Sequence, residues 1–349
     1  MNQPLSILYI GELSEGGTCL QRMRILQELG HRIISFDITP WLTGGPRFLR
    51  SLAHRKNLGP PVWRLNDALM SYAEAAPPVT HLWVDRGRWI YPEVLQQLKQ
   101  RTGASLVHYT PDPQLTHHQS RHFDACIPLY DMLVTTKPFE MELYKAAGAR
   151  DVMLVLQGFD DRFTPIAPPA DLLSELGSDV CFIGHCESHY GGRLKAAKRA
   201  ARRLRIWGPG WPRYTHLHPW ARSHVVADGI WGARYPLALA CSKIALGLLS
   251  KRIPETTTTR TFEIPAMGVF MLAERTDDHL SLFKEGIEAE FFGSDDELQD
   301  KIRYYLSHDK TRERIAVAGR KRSLRGKYNS RDQLLKVLDR MVSTSVESS

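Results

Sequence analysis

The sequence predicts an α/β protein built from two doubly wound, Rossmann-like domains. Short apolar runs alternate with helical patterns along the chain, and this alternation is typical of parallel strands joined by right-handed helical crossovers. The pattern stops at a proline-rich segment, residues 164–169, and then starts again. A chain of 349 residues with 43% hydrophobic content also exceeds one ordinary core, so we expect two domains.

The first domain opens with a strand at Leu5–Ile10, a loop that contains Gly16 and Gly17, and a helix that ends at Gly30. The glycines do not match the Gly-x-Gly-x-x-Gly fingerprint, so a dinucleotide site is not indicated. The other elements predicted in this half are strands at Arg32–Phe36, Thr80–Val84, Ser105–Tyr109, Met132–Thr135 and Val152–Leu156, and helices at Pro92–Arg101 and Phe139–Ala147.

The alternation resumes after the prolines. The predicted strands of this half are Asp179–Ile183, Leu204–Trp207, Ser242–Leu249, Val269–Ala273 and Glu288–Phe292, and the predicted helices are Arg193–Arg203, Asp295–Leu306, Lys310–Arg322 and Arg331–Val342. From Ser343 the chain is serine-rich, and we expect this tail to be frayed.

The composition excludes several classes of protein. No apolar run approaches the roughly 18 residues that a membrane-spanning helix needs, and the first residues lack the features of a signal peptide. The five cysteines are scattered, and no carboxylate or cysteine pattern completes a metal site around His117, His118 and His122. We therefore expect a cytoplasmic protein with free thiols and no metal.

Two segments are rich in basic residues, in a chain of net charge +8. Residues 193–205 are either a stripe for nucleic acid or an anionic membrane, or a solvated helix face, which their spread over several faces favours. Residues 41–61 are predicted to be an acceptor-side loop without any acid. Whether that loop meets an anionic lipid or polymer, or is plain surface, stays open. Its basic residues are Arg47, Arg50, His54, Arg55 and Lys56.

The stretch from Glu255 to Arg275 says most about function. Glu255 and Glu263 have seven residues between them, and four threonines and Arg260 lie in the gap. A short helical segment, Gly268 and an apolar run follow, which predicts a polar loop, a helix N-terminus and a strand. Free N–H groups at a helix N-terminus favour phosphate, and a carboxylate one turn further in can accept hydrogen bonds from a ribose diol. The stretch therefore predicts a nucleoside diphosphate site.

Several motifs, in order along the chain, resemble one family. The run Thr-Arg-Thr-Phe-Glu-Ile-Pro-Ala-Met-Gly at 259–268 resembles the signature of the CgeB-like, or spore-maturation-protein-like, glycosyltransferases. This family has the GT-B fold and is related to the group 4 glycosyltransferases. The resemblance implies two Rossmann-like domains that face each other across a cleft. It is strongest from about Val180 to Arg331, and its further segments are 179–185, 206–211, 282–292, 304–306 and 315–319, with looser similarity at 136–140 and 158–160.

The resemblance implies that the two domains have different roles. Residues 1–165 would form the acceptor domain, residues 170–330 the nucleotide-sugar donor domain, and residues 331–349 a C-terminal helix and frayed tail. The implied reaction moves a sugar from a nucleoside diphosphate sugar, with a UDP-sugar as the expected donor, without a metal or other cofactor and with retention of configuration. The acceptor is unknown and can be a glycan, a lipid, a protein or a small molecule. Nucleic acid is not expected as a partner, and peripheral membrane contact stays open.

Three residues are predicted to act in catalysis. Arg193 would grip two oxygens of the departing diphosphate, and the alternative is one more surface arginine. Asp112 follows the fourth strand and would act as a general base or orient a sugar hydroxyl, unless it is a turn aspartate between prolines. Glu255 matches the first Glu of the Glu-x7-Glu motif of the related families by spacing alone, and a solvent-facing loop acid is its alternative.

Eight residues are predicted to bind the nucleotide sugar. Glu263 matches the second Glu of that motif and is expected at the ribose, against the alternative of a helix-capping carboxylate. Trp211 and Tyr235 offer faces for the base, and the alternative for each is a buried plug between loops. The complete set is Gly16, Gly17, Gly208, Trp211, Tyr235, Thr259, Arg260 and Glu263.

Two other classes of function stay open. A nucleotide-sugar epimerase of the same fold would need acid and base carboxylates on both walls of the cleft. A non-catalytic protein would either sense a sugar nucleotide or bind nucleic acid through residues 193–205. Binding to nucleic acid predicts an affinity that falls steeply with salt, whereas a glycosyltransferase predicts that nucleoside diphosphates raise the melting temperature.

Overall fold

The computed structural model describes residues 4–347, with side chains described up to Val342. The chain forms two compact units. The first contains the chain up to Leu156 together with the residues from Arg331 onward, and the second is Gln157–Ser330. The proline-rich segment that we predicted as the boundary therefore lies inside the second unit. Where we predicted a frayed tail, the last helix continues to Glu347, and residues 348 and 349 lie outside the described part.

The first unit contains a six-stranded parallel sheet of order β2-β1-β3-β4-β5-β6. Each strand predicted in this half is confirmed. The strands are β1 (Ser6–Gly11), β2 (Arg32–Asp37), β3 (His81–Asp85), β4 (Ser105–Thr110), β5 (Met132–Thr135) and β6 (Val152–Leu154). The helices are α1 (Thr18–Glu28), α2 (Thr39–Thr43), α3 (Arg47–Lys56), α4 (Pro60–Glu74), α5 (Pro92–Thr102), α6 (Arg121–Cys126) and α7 (Met141–Ala146).

Alternate side chains of β1 enter the two cores on either side of this sheet. Leu8 and Ile10 belong to one cluster, and Ile7 and Tyr9 belong to the other, as the two-residue period of a strand requires. The last helix of the chain completes the second cluster, with buried side chains at Leu334, Val337, Leu338 and Met341. The C-terminal segment is therefore part of the core of the first unit.

The acceptor-side segment, residues 41–61, is helical where we predicted a loop. It contains α3 and the ends of its two neighbours. Asn57 ends α3 in the left-handed conformation, with φ 53°, and Pro60 occupies the first position of α4, which suits its missing N–H. Ala53 is the single buried residue of α3. Its apolar residues, Phe48, Leu49, Leu52 and Ala53, have the spacing of one helix face, so the helical period was present in the sequence and the loop prediction was wrong.

The second unit contains another six-stranded parallel sheet, of order β12-β11-β10-β7-β8-β9. The strands are β7 (Ser178–Ile183), β8 (Leu204–Trp207), β9 (Val225–Ala227), β10 (Ser242–Gly247), β11 (Phe270–Glu274) and β12 (Glu290–Phe292). The helices are α8 (Ala170–Leu176), α9 (Tyr190–Ala200), α10 (Trp211–Leu217), α11 (Arg234–Ala240), α12 (Thr259–Ala266), α13 (Asp277–Leu282), α14 (Asp295–Ser307) and α15 (Asp309–Arg325), and α16 (Ser330–Glu347) returns to the first unit.

Both sheets have a point where the direction of winding reverses. In the first sheet this point lies between β1 and β3, and in the second it lies between β7 and β10. Loops that leave the carboxyl ends of such a strand pair diverge, and the crevice between them is where doubly wound folds bind ligands. The candidate sites are therefore the two crevices at these switch points. In the described part of the chain, no helix combines the length and the apolarity that a bilayer span requires.

Candidate functional site

Arg260 bridges the two strands at the switch point of the second sheet. Its Nη1 donates to the carbonyl oxygen of Ile183 at 3.2 Å, and its Nη2 donates to that of Leu248 at 3.0 Å. Ile183 ends β7, and Leu248 directly follows β10. The Nε–H of Arg260 is buried and has no partner among the described residues. A buried donor without a partner is rare in folded proteins, so Arg260 carries one N–H that the described fold does not use.

The N-terminus of α12 is capped reciprocally. The hydroxyl of Thr258 accepts the N–H of Arg260 at 3.1 Å, and the hydroxyl of Thr261 accepts the N–H of Thr258 at 3.1 Å. These two threonines therefore hold the start of the helix. The hydroxyl of Thr259, in contrast, has no hydrogen-bond partner in the part of the chain that the structure describes. The predicted ligand donor of this loop is thus available.

Glu263 lies one turn beyond Arg260 on the same face of α12, and Tyr235 is bound to it. The Tyr235 hydroxyl donates to Oε2 of Glu263 at 2.5 Å, while its ring lies 6.1 Å from that of Phe163. Burial raises the pKa of Glu263 to about 7, and the carboxylate of Asp160 adds to this effect, while the Tyr235 hydroxyl and Arg260 oppose it. Glu263 therefore exchanges its proton near neutral pH. Tyr235 holds a carboxyl group in this structure, and its role towards a base stays a prediction.

Glu255 fixes the loop that follows β10. Its Oε2 accepts the N–H of Ser250 at 3.0 Å. Two further carboxylates hold the same loop, because Glu187 accepts the Ser250 hydroxyl at 3.0 Å and Glu274 accepts the N–H of Leu249 at 2.9 Å. The sequence pattern did not point to Glu187 or Glu274, although Glu274 is the last residue of β11, a position at the ligand edge of the sheet. The bonds give Glu255 a positioning role, and its predicted catalytic role stays a prediction.

Arg193 is paired with a neighbouring helix. Its guanidinium contacts the carboxylate of Asp295, the first residue of α14, and lies 5.6 Å from the ring centre of Phe292. Helices α9 and α14 pack against each other, so this pair joins them. The predicted grip on a diphosphate would require the pair to open.

Two other arginines of the basic segment are bound within the unit. Arg203 Nη1 donates to the carbonyl of Leu173 at 3.2 Å, and Arg205 Nε donates to that of Gly177 at 3.1 Å. Cations at the end of a helix satisfy its free carbonyls and its negative dipole end, and α8 ends at this point. These bonds tie Arg203 and Arg205 to the end of α8, while the choice between a solvated helix face and a stripe for nucleic acid stays a prediction.

Trp211 is a buried plug. Its side chain is 0% exposed, and its indole N–H donates to the carbonyl of Gly184 at 2.8 Å. Its ring is therefore not available to stack on a base, and the alternative that we named describes its place. Gly208, at φ 145°, is required because a Cβ there would stand 1.9 Å from the carbonyl oxygen of Gly184. The glycine therefore serves the close approach of two loops, while its role in binding the nucleotide sugar stays a prediction.

The crevice of the first sheet contains a small polar cavity of about 70 Å³. Arg86 Nε stands 3.0 Å from Oδ2 of Asp112, and the Arg86 backbone is left-handed, with φ 71°. Such a conformation is strained for arginine, and strain of this kind is concentrated at functional sites. Arg88 lies 4.2 Å over the ring of Trp89. The cavity is lined by Glu12, Arg86, Arg88, Trp89, Asp112, Gln114 and His118, so Asp112 lies where its predicted role towards an acceptor requires it.

Buried carboxylates support this crevice from below. Glu140 accepts three backbone N–H groups from residues 114–116 at 2.8–3.1 Å, which fixes the loop after β4. Asp85, the last residue of β3, accepts two hydrogen bonds from Arg22 at 2.7 and 2.8 Å and one from the Tyr9 hydroxyl at 2.5 Å. Both carboxylates are 0% exposed, so the positions of Arg86 and Asp112 rest on buried and fully bonded groups.

Gly16 and Gly17 lie in the loop that follows β1. Gly16 has φ 78°, which favours glycine, and a Cβ there would meet open space. Gly17 directly precedes α1. Their position after the first strand is as predicted, while their approach to a sugar phosphate stays a prediction.

A larger cavity, in the second unit, lies at the other edge of its sheet. It encloses about 600 Å³, and its lining includes Ser178 and Ser242, the first residues of β7 and β10. Doubly wound folds bind ligands at the carboxyl ends of strands, so size alone does not make this cavity the site. In the described part of the chain, no group of three or more His, Cys, Asp or Glu side chains is arranged for a metal.

Comparisons with known proteins agree with this architecture. Residues 193–339 match a protein-family model described as glycosyl transferase-like. The structure of sucrose-phosphate synthase from Thermosynechococcus elongatus matches with a TM-score of 0.68 and 15% identity, over 99% of this chain and 100% of that chain. HepE of Anabaena, in complex with UDP and glucose, matches with a TM-score of 0.64 and 14% identity over the same shares. The fold is GT-B.

A third GT-B structure has a macromolecule bound. It is an α-glucosyltransferase in complex with UDP and a 13-mer DNA, and it matches with a TM-score of 0.64 and 12% identity over 96% of this chain and 99% of that chain. No curated protein sequence matches this chain. The predicted pair of Rossmann-like domains is thus confirmed, while the finer likeness to the CgeB-like family stays a prediction.

Proposed function

We propose that this GT-B chain is a glycosyltransferase that moves a sugar from a nucleoside diphosphate sugar, with a UDP-sugar as donor, to an acceptor. The observation that carries the proposal is the placement of Arg260 and Glu263 on one face of α12 at the switch point of the second sheet. The match of residues 193–339 to a glycosyl transferase-like model supports it, and so does the UDP bound in HepE.

The donor would bind at the N-terminus of α12. The positive end of the helix dipole and the charge of the Arg260 guanidinium suit a diphosphate, and they stabilise the negative charge that develops on it as the sugar leaves. The hydroxyl of Thr259 adds a further donor. Glu263 would accept the ribose hydroxyls, which favours its ionised form because those hydroxyls donate to a carboxylate.

The acceptor would meet the crevice of the first unit. Asp112, held by Arg86, is proposed to orient the acceptor hydroxyl or to take its proton. Retention of configuration and transfer without a metal are proposed from the resemblance to the group 4 enzymes. A cytoplasmic location is proposed from the composition of the sequence.

A thermal-shift screen over nucleoside diphosphates tests the donor. A ligand at about 100 times its Kd adds about 2.7 kcal/mol to the free energy of unfolding, which corresponds to roughly 5 °C or more for a unit of this size. We expect UDP to give this shift with the wild type and not with Glu263→Ala, while Leu217→Ala, an exposed position of the same unit, keeps it. If no nucleoside diphosphate moves the melting temperature of the wild type, the proposal is wrong.

Product analysis separates the alternatives that share this donor site. A glycosyltransferase releases UDP from a UDP-sugar, whereas an epimerase returns an altered UDP-sugar. Nucleic acid as acceptor is tested with labelled DNA, because binding that depends on phosphate contacts weakens steeply between low and physiological salt. We expect UDP release and no such DNA binding. The DNA bound in the α-glucosyltransferase is the reason to measure it.

A further inference from the structure

The segment from Ile38 to Asn66 contains no acidic residue and leaves its cations without carboxylate partners. Its basic side chains are Arg47, Arg50, Arg55, Lys56 and Arg64. Among the described residues, none of the five forms an ion pair, and all but the half-buried Arg50 are exposed. Unpaired positive charge of this density is complementary to an anionic surface.

The same segment exposes large apolar side chains. Phe48 is 70% exposed, Trp63 54%, Leu58 48%, Leu52 40% and Trp41 37%. Phe48 and Leu52 are four residues apart on α3 and therefore lie on one face of that helix. These apolar residues and the five cations of the segment form what we call the α2–α4 face.

The members of the α2–α4 face are neighbours in space. Helix α3 packs against α4, and α2 packs against both. A Cβ at Gly59 would stand 3.0 Å from Cδ2 of Leu52, so the Leu52 side chain lies against the start of α4, whose first turn carries Trp63. Basic and apolar side chains are thus presented together by three consecutive helices.

We propose that the α2–α4 face binds the surface of an anionic lipid bilayer. A nucleic acid or another polyanion would need the cations but would leave five large apolar side chains in water. A bilayer interface accommodates both, because basic residues meet the anionic headgroups while aromatic and aliphatic side chains enter the boundary with the acyl chains. Tryptophan, present at two positions of this face, is enriched at such interfaces.

This face is joined directly to the acceptor crevice. The indole N–H of Trp89 donates to the carbonyl of Ala53 in α3 at 3.0 Å, and the ring of His54 stands edge-on to Trp89 at 5.7 Å. Trp89 also lines the cavity that contains Asp112. A bilayer bound to the α2–α4 face therefore lies beside that cavity. If the proposed function is right, this placement selects a lipid or lipid-linked molecule among the acceptor classes.

Flotation of the full chain with vesicles tests the proposal. We expect binding to vesicles of phosphatidylcholine with phosphatidylglycerol and none to phosphatidylcholine alone. Arg55→Gln and Lys56→Gln should each lower the partition coefficient about fivefold, the factor that corresponds to about 1 kcal/mol per basic residue near an anionic surface. Phe48→Ser should lower it about tenfold, because it removes the apolar area that the bilayer buries.

Matched variants elsewhere control for charge and apolarity. Lys198→Gln with Arg199→Gln removes two exposed cations of α9, and Leu217→Ser removes a side chain that is 82% exposed. We expect both to bind vesicles like the wild type. Equal binding to the two lipid mixtures, or full binding by the variants of the α2–α4 face, would refute the proposal.

Two further measurements complete the test. If the chain does not bind vesicles but binds heparin through the same cations, the face is a polyanion site and the proposal is wrong. The UDP thermal shift is measured on every variant, because α2–α4 substitutions should leave it unchanged. Loss of vesicle binding with the shift intact supports the membrane face, whereas a missing UDP shift with vesicle binding intact overturns the proposed function alone.

Discussion

Replacing Glu263 by glutamine should remove one component of the pH dependence of stability. Burial raises the pKa of this carboxyl from 4.5 to about 7. Because the folded state holds the proton more tightly than the unfolded state, the group stabilises the fold fully below about pH 4.5, and this contribution is lost as the pH rises through 7. The difference between the two values corresponds to roughly 3 kcal/mol in the free energy of unfolding.

The assay is urea unfolding of the wild type, Glu263→Gln and Glu255→Gln from about pH 5 to about pH 8.5. Other titrating groups contribute to every curve, so the quantity of interest is the difference between variants. We expect the wild type and Glu255→Gln to lose roughly 3 kcal/mol more than Glu263→Gln over this range. Tyr235→Phe removes a hydrogen bond that lowers the pKa of Glu263, so its loss should move to higher pH.

Parallel curves for the wild type and Glu263→Gln would refute this reasoning, because they would mean that Glu263 does not titrate in the neutral range. Ligand binding gives an independent check. A ribose that donates to the ionised carboxylate lowers its pKa, so UDP should release a proton from the wild type near pH 7. Calorimetry in two buffers of different ionisation enthalpy measures that proton, and Glu263→Gln should lack it.

The remaining predictions concern single contacts. Arg260→Lys replaces the two terminal nitrogens that each reach one carbonyl by a single ammonium. We expect a loss of about 1–3 kcal/mol in stability and roughly 10²–10³ in kcat for UDP-sugar turnover; wild-type turnover would remove Arg260 from the site. Trp211→Phe should lower the denaturation midpoint and keep the UDP shift, and loss of that shift would restore the stacking role. Arg22→Met should cost about 3–5 kcal/mol because it leaves Asp85 charged and buried, and adding Asp85→Asn should recover part of it.

The strands were predictable because their signal is local. A strand such as β11 in a parallel sheet is covered on both faces, and its five residues, four of them apolar, are all buried. The one strand that was missed, β9, has three residues, none of them buried. Helix α3 was missed although its apolar residues, Phe48, Leu49, Leu52 and Ala53, have the spacing of one helix face.

The parts of the site that could be predicted are those whose residues lie close together in the sequence. Arg260 and Glu263 are three residues apart on one helix, so their shared face followed from spacing. The partner of Arg193 is Asp295, more than a hundred residues away, and the indole of Trp211 bonds to a carbonyl of another strand end. Such partners depend on which elements pack together. A single sequence does not show which elements pack together. The prediction therefore treated the side chains of Arg193 and Trp211 as available to a ligand when both have partners in the fold.

The two carboxylates of the Glu-x7-Glu spacing differ because the helix begins between them. Glu255 precedes α12 and accepts a backbone N–H. This bond holds the loop in its conformation, so a ligand cannot replace the bond without unfolding the loop. Glu263 lies inside α12 and accepts a hydroxyl from Tyr235. A ribose hydroxyl is the same kind of donor, so a nucleotide can take over this bond with little change in hydrogen-bond energy. Both residues belong to the same spacing motif, but only the bond of Glu263 can be replaced by a bond to a ligand. A binding site requires a bond of that kind.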